Sequence, residues 1–197
     1  VERDPGKVTR ELFEEAHRRD PEHKRPWVML VDGHQDQLKH IWANIKRFGV
    51  EVILILDFIP VLEYLWKAAY CFHPPGSESA EAWVAERALQ ILKGQASTVA
   101  GGIRRSASLR GLSAKERGAV DEGAEYLLNY KDRLKYDEYL AAGLPIATGV
   151  IEGACRHLVK GSNGHHGCAL GIATRRGHFE TAFAQIQWGC QSLLGLL

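Results

Sequence analysis

Three carboxylates in this chain have the types and placement that phosphoryl-transfer chemistry needs. Asp32 follows the apolar run WVMLV at Trp27–Val31, Asp57 follows VEVILIL at residues 50–56, and Glu152 stands in GVIEGACRHLVK at residues 149–160. Hard Mg²⁺ ions take oxygen ligands and keep several waters. Two such ions about 4 Å apart can activate an attacking oxygen and stabilise a leaving one. Plainer readings exist for each residue. Asp32-Gly33 also reads as a turn after a strand, Asp57 as the N-cap of the segment ahead of VLEYLW, and Glu152 as a surface ion pair with Arg156 at i, i+4. By spacing alone the constellation is weak. His34 is a further candidate for phosphate or metal contact, or a solvated loop histidine.

The elements that would position these groups follow from hydrophobic period. Residues 8–18 repeat apolar side chains at helical spacing. The run at Trp27–Val31 suits a strand covered on both faces. Leu38, Ile41, Trp42, Ile45 and Phe48 mark a helix over residues 35–48, closed by Gly49, and residues 50–56 form a second apolar strand. Strand, helix and strand with short connections make a βαβ unit with parallel strands, so Asp32 and Asp57 share the carboxyl edge, where open α/β sheets bind ligands.

Past residue 60 the pattern is helical: residues 61–72, 79–92 after an N-cap at Ser77 or Ser79, 97–110, 114–130 behind a Ser113/Glu116 capping box, and 136–142. Residues 61–143 read as a helical insertion in an α/β domain, and Thr148 as the N-cap of the helix bearing Glu152. Trp42, Trp66 and Trp83 fall on apolar faces and read as core. Arg104, Arg105, Arg110 and Arg133 could touch phosphates, against the default of a charged solvated face.

Composition bounds the partners. The chain has 197 residues, with 25 Lys plus Arg against 24 Asp plus Glu and a net charge of +1. A free-standing DNA-binding module is usually more basic. Cys71, Cys155, Cys168 and Cys190 form no C-x-x-C pair, which argues against structural zinc and for reduced thiols in a cytoplasm. No apolar run approaches the roughly 20 residues of a membrane span. Phosphate-loop, dinucleotide and nucleophile-elbow motifs are missing.

Three strings together carry a resemblance: RRDPEHKRPWVMLVDG (18–33), ILDFIPVLEYLWKAA (55–69) and LPIATGVIEGACRHLVK (144–160). With YLLNYKDRLKYDEYLAAG (126–143) they resemble the bacterial insertion-sequence transposases of the ISKra type, over essentially residues 1–160. The resemblance implies a DDE catalytic core of RNase H-like fold, cutting and joining DNA at insertion-sequence ends with Mg²⁺ held by Asp, Asp and Glu. Asp32 matches the second Asp and Glu152 the final Glu. Asp57 matches a neighbouring acidic position, as support or as the competing assignment. The first Asp would lie on a strand preceding Val1. Transposon-end and target DNA, and a homo-oligomer of the intact enzyme, are the implied partners. Pro60 stands where the motif has His.

The expected organisation is part of an RNase H-like core at 1–60, the insertion at 61–143, the glutamate helix at 144–160 and a non-native tail at 161–197. The tail departs from the family pattern. One synonymous codon choice for GSNGHHGCALG (161–171), shifted by one nucleotide, reads DRMDITGARWG, the family's continuation. A frameshift near residue 160 is therefore expected, which makes His165, His166 and Cys168 accidental. The implied product is a transposase fragment inactive by itself; the alternative is a non-catalytic truncated product that binds DNA or full-length transposase. A different α/β phosphotransfer or nucleotide-binding protein is the third reading, opposed by the 144–160 string.

Overall fold

A computed structural model describes residues 4–147 of the chain. They form a mixed α/β structure that is mostly helical, with one two-stranded parallel sheet. The order is α1 (Pro5–Arg19), β1 (Trp27–Val31), α2 (Gln35–Phe48), β2 (Val52–Leu56), α3 (Phe58–Ala69), α4 (Glu78–Leu92), α5 (Ala96–Leu109), α6 (Gly118–Asn129), a 3₁₀ turn (Lys131–Arg133) and α7 (Tyr136–Ala141).

Local chemistry explains the boundaries. Asp4 accepts the Lys7 amide ahead of Pro5 to start α1. Beyond α1, the Asp20 carboxylate collects the amides of Lys24 and Arg25 and the Trp27 indole, which shapes the turn into β1. Gly49 ends α2 in the left-handed region, at φ 62°. Ser77, of the two serines considered, caps α4 through the Ala80 amide. Pro60 occupies the first turn of α3, where no amide donor is needed.

Three expectations are corrected. The second strand begins at Val52, because Val50 is buried in the connection instead. The Ser113/Glu116 bonds form, but they close a turn and the helix starts only at Gly118. Trp42 is 51% exposed. It lies about 100° round the helix from Ile41, off the stripe of Leu38, Ile41, Ile45 and Phe48. Asn44 takes the place on that stripe, its side-chain amide satisfied by the His40 carbonyl. Trp83 is buried as expected and Trp66 packs half-buried against the core.

The strands run in register from Trp27↔Val52 to Val31↔Leu56. Their cover is uneven. Residues 27–30 are half-buried and Ile53 is exposed, whereas Val31, Ile55 and Leu56 are sealed. The 3₁₀ turn packs on β2, and α3 pairs with both α4 and α6. One apolar cluster runs from Phe13 to Ala147, so the helices beyond β2 share a core with the βαβ unit.

Candidate functional site

The sealed carboxyl edge of the sheet is where the two aspartates stand. Val31 pairs with Leu56, so the next residues, Asp32 and Asp57, leave adjacent strands at the same edge, where paired strands lie about 4.8 Å apart. The Asp57 amide donates to the Val31 carbonyl at 2.8 Å and carries the ladder one step further. Asp32 is exposed and its Oδ1 accepts the His34 amide at 2.8 Å. Asp57 is 8% exposed and its Oδ1 accepts the Ile59 amide at 3.0 Å. Both plain readings are therefore real: Asp32 makes a turn and Asp57 caps α3. Neither excludes metal ligation, because a carboxylate has two oxygens and several lone pairs.

A tyrosine cluster surrounds this edge. The Tyr126 hydroxyl donates to the Asp32 carbonyl at 2.9 Å. Tyr130 donates to the Gly33 carbonyl and accepts from Gln35 Nε2 at 2.7 Å. Tyr136 donates to the Leu56 carbonyl at 2.8 Å. Burial, reinforced by Tyr64, Tyr130, Asp32 and Asp57, pushes the Tyr126 phenol well above its ordinary range. The same hydroxyl thus feels both carboxylates. Burial also raises Tyr136, with Tyr126 and Asp57 adding to it. Tyr126 and Tyr136 are therefore neutral donors at physiological pH. Sequence reading passed over them; the signal was the i, i+4 spacing of Tyr126 and Tyr130, which puts both on one helix face.

The remaining candidates separate. His34 occupies the N-cap position of α2 and makes no side-chain capping bond. Arg104 pairs with Asp121 at 3.5 Å, and Arg110 lies over the Phe72 ring and donates to the Phe72 carbonyl. Arg105 is exposed, and Arg133 sits 5.9 Å from the Tyr130 ring centroid. Burial raises the Cys71 thiol, so it is a poor nucleophile. Thr148, Glu152, Arg156, His165, His166 and the other three cysteines lie outside the described residues. The chain reaches that part beside the site, because the Phe58 amide at the head of α3 donates to the Ile146 carbonyl at 3.0 Å.

Among the described residues no group of three or more His, Cys, Asp or Glu could hold a metal ion. The pair Asp32/Asp57 nevertheless fits Mg²⁺, which often takes only one or two carboxylates and completes its shell with water and phosphate oxygens. A cleft of about 280 Å³, bounded by Leu12, Phe13, Trp27 and Met29, opens at the other end of the strands and has no part in this site. No described helix is long and apolar enough to cross a membrane.

Comparison with protein-family models, curated proteins and solved structures finds no match.

Proposed function

We propose that Asp32 and Asp57 are the strand-end carboxylates of a Mg²⁺ site in a DDE-type insertion-sequence transposase of the ISKra type, built on an RNase H-like core, with Glu152 as the third ligand. The observation that carries the reading is the register: Val31↔Leu56 sets the two aspartates abreast at the carboxyl edge. The strings at residues 18–33, 55–69 and 144–160 supply the family. Connectivity favours Glu152, since Ala147 is buried in the core and the intervening residues span at most about 18 Å.

In this reading Asp32, the exposed ligand, meets the hydrated side of the site, and Asp57 is fixed by its capping bond. The substrate is DNA at insertion-sequence ends. Bound Mg²⁺ supplies Lewis-acid activation of the attacking oxygen and stabilises the leaving one. The Asn side chain keeps the volume and a hydrogen-bonding oxygen of Asp but loses the charge. Either Asp→Asn change therefore weakens the ion's hold.

The test is affinity cleavage. Fe²⁺ replaces Mg²⁺ in the full chain, and ascorbate with peroxide generates radicals that cut the backbone beside the ion. Cuts near residues 32, 57 and 152, suppressed by excess Mg²⁺ and by Asp32→Asn, are expected. Cuts at 32 and 57 without one at 152 would remove Glu152 from the site. Cleavage scattered without regard to Asp32 would remove the site altogether.

A further inference from the structure

We infer that Tyr126 of α6 and Tyr130, the residue that caps its C-terminus, are positioning residues that set the Asp32 carboxylate against Asp57, by holding the backbone of the β1–α2 connection through their hydroxyls. The inference rests on the reading of Asp32 and Asp57 as metal ligands.

Residues 32–34 have left the ladder, so their carbonyls lack strand partners among the described residues. Two phenols from the C-terminal end of α6 and its cap take consecutive carbonyls of that connection, Tyr126 that of Asp32 and Tyr130 that of Gly33. The Tyr130 oxygen also accepts from Gln35, the first residue of α2. Both ends of the connection are thereby fixed by one side chain. Gly33 adopts φ +91°, and a Cβ there would stand 3.1 Å from the Tyr130 ring. The ring and the glycine fit each other, and the Asp32 side chain is aimed from the backbone they define.

The other carboxylate is tied to the same helix. The Tyr126 ring stacks on Tyr64 of α3, with centroids 4.2 Å apart and planes at 27°. Asp57 caps the N-terminus of α3. So α6 holds Asp32 through its carbonyl and Asp57 through the helix that it caps. Packing alone would be served by phenylalanine at both positions. The hydroxyls add only the fixed loop geometry, and partners of ligand residues commonly govern metal affinity about 10- to 100-fold.

The experiment is a Mn²⁺ titration of the full chain, with free Mn²⁺ read by electron paramagnetic resonance. Wild type, Asp32→Asn, the double variant Tyr126→Phe/Tyr130→Phe, Gln35→Ala and Ile91→Val are compared. Ile91 is fully buried in α4, its side chain has no polar atom to bond the β1–α2 connection, and it reports what a loss of stability alone does. Gln35→Ala deletes the bond to Tyr130 at an exposed position and leaves the core intact. The double variant is expected to bind Mn²⁺ about 10-fold more weakly or worse, Gln35→Ala to fall between, and Ile91→Val to match wild type. If wild type binds, Asp32→Asn does not, and both tyrosine and glutamine variants bind like wild type, the positioning role is overturned while the metal reading stands. If wild type binds no better than Asp32→Asn, the metal reading itself fails and takes this inference with it.

Discussion

The Tyr126 hydroxyl donates to the Asp32 carbonyl at 2.9 Å, across 94 positions of sequence. This bond makes α6 part of the strand-end site rather than a remote support. Its partner bond, from Tyr130 to the Gly33 carbonyl, lies one residue further along the same connection. Burial holds the Tyr126 phenol above its ordinary range, so it remains a donor at physiological pH.

Gly33 is the first test of that connection. At φ +91° a side chain is strained, and its Cβ would press on the Tyr130 ring at 3.1 Å and on Leu56 Cδ1 at 3.3 Å. Gly49 also has positive φ, but nothing lies within 4 Å of its Cβ direction. Gly33→Ala should cost about 2–3 kcal/mol, near the top of the range for a strained backbone position. Gly49→Ala should cost about 1 kcal/mol. Urea unfolding midpoints measure both. Equal losses would mean that the Gly33–Tyr130 contact is not tight.

The βαβ unit was legible because each of its parts has a strong local signal. Continuous apolar runs mark β1 and β2, and Gly49 punctuates α2. Strand direction then placed Asp32 and Asp57 on one edge without any tertiary information. Three things were not legible. A capping box fixes a turn, but not how soon a helix follows it, hence the late start at Gly118. Period alone widened the buried stripe of α2 to include Trp42, because an indole and a buried Asn44 exchange places only when the packing partners are known. The tyrosine bonds join residues 80 or more positions apart and depend on how α6 and α7 dock, which no local pattern encodes.

Asp57 has two roles that substitution can separate. Its Oδ1 caps α3 through the Ile59 amide, and asparagine caps about as well as aspartate. Asp57→Asn should therefore retain most of the stability measured without divalent ions. Asp57→Ala should lose about 1 kcal/mol. With Mg²⁺ or Mn²⁺ present, wild type should gain stability by mass action and both variants should gain less. Thermal unfolding with and without the ion resolves the two effects. Equal stabilisation of Asp57→Asn and wild type would remove Asp57 from the metal site.

Trp42 and Trp83 look alike in sequence and should behave oppositely. Trp83 is 7% exposed, packs on Phe72 and carries the Arg87 guanidinium 4.1 Å from its ring centroid. Trp83→Ala should cost about 3–5 kcal/mol, as truncation of a buried aromatic does. Trp42 is half in solvent, and Trp42→Ala should change stability by no more than about 0.5 kcal/mol. Denaturant titrations of the two variants decide. A large loss at Trp42 would mean that a surface uncovered here is covered in solution.

His73 gives the fold a pH dependence with a definite sign. Burial, then the Arg110 and Arg87 cations, lower its pKa below the ordinary histidine value. Its Nδ1 lies 3.1 Å from Ser79 Oγ, and Nε2 is buried without a hydrogen-bond partner among the described residues. The unfolded chain takes up a proton at this site before the folded one does. Stability is then fully present above the ordinary histidine pKa of about 6.5. It is lost as pH falls from there through the lower folded value. Urea midpoints measured from pH 7.5 down to pH 5 should fall for wild type and fall less for His73→Gln, the difference isolating this ring from the other histidines. An NMR titration that found His73 protonating at or above the ordinary value would reverse the sign and refute the assignment.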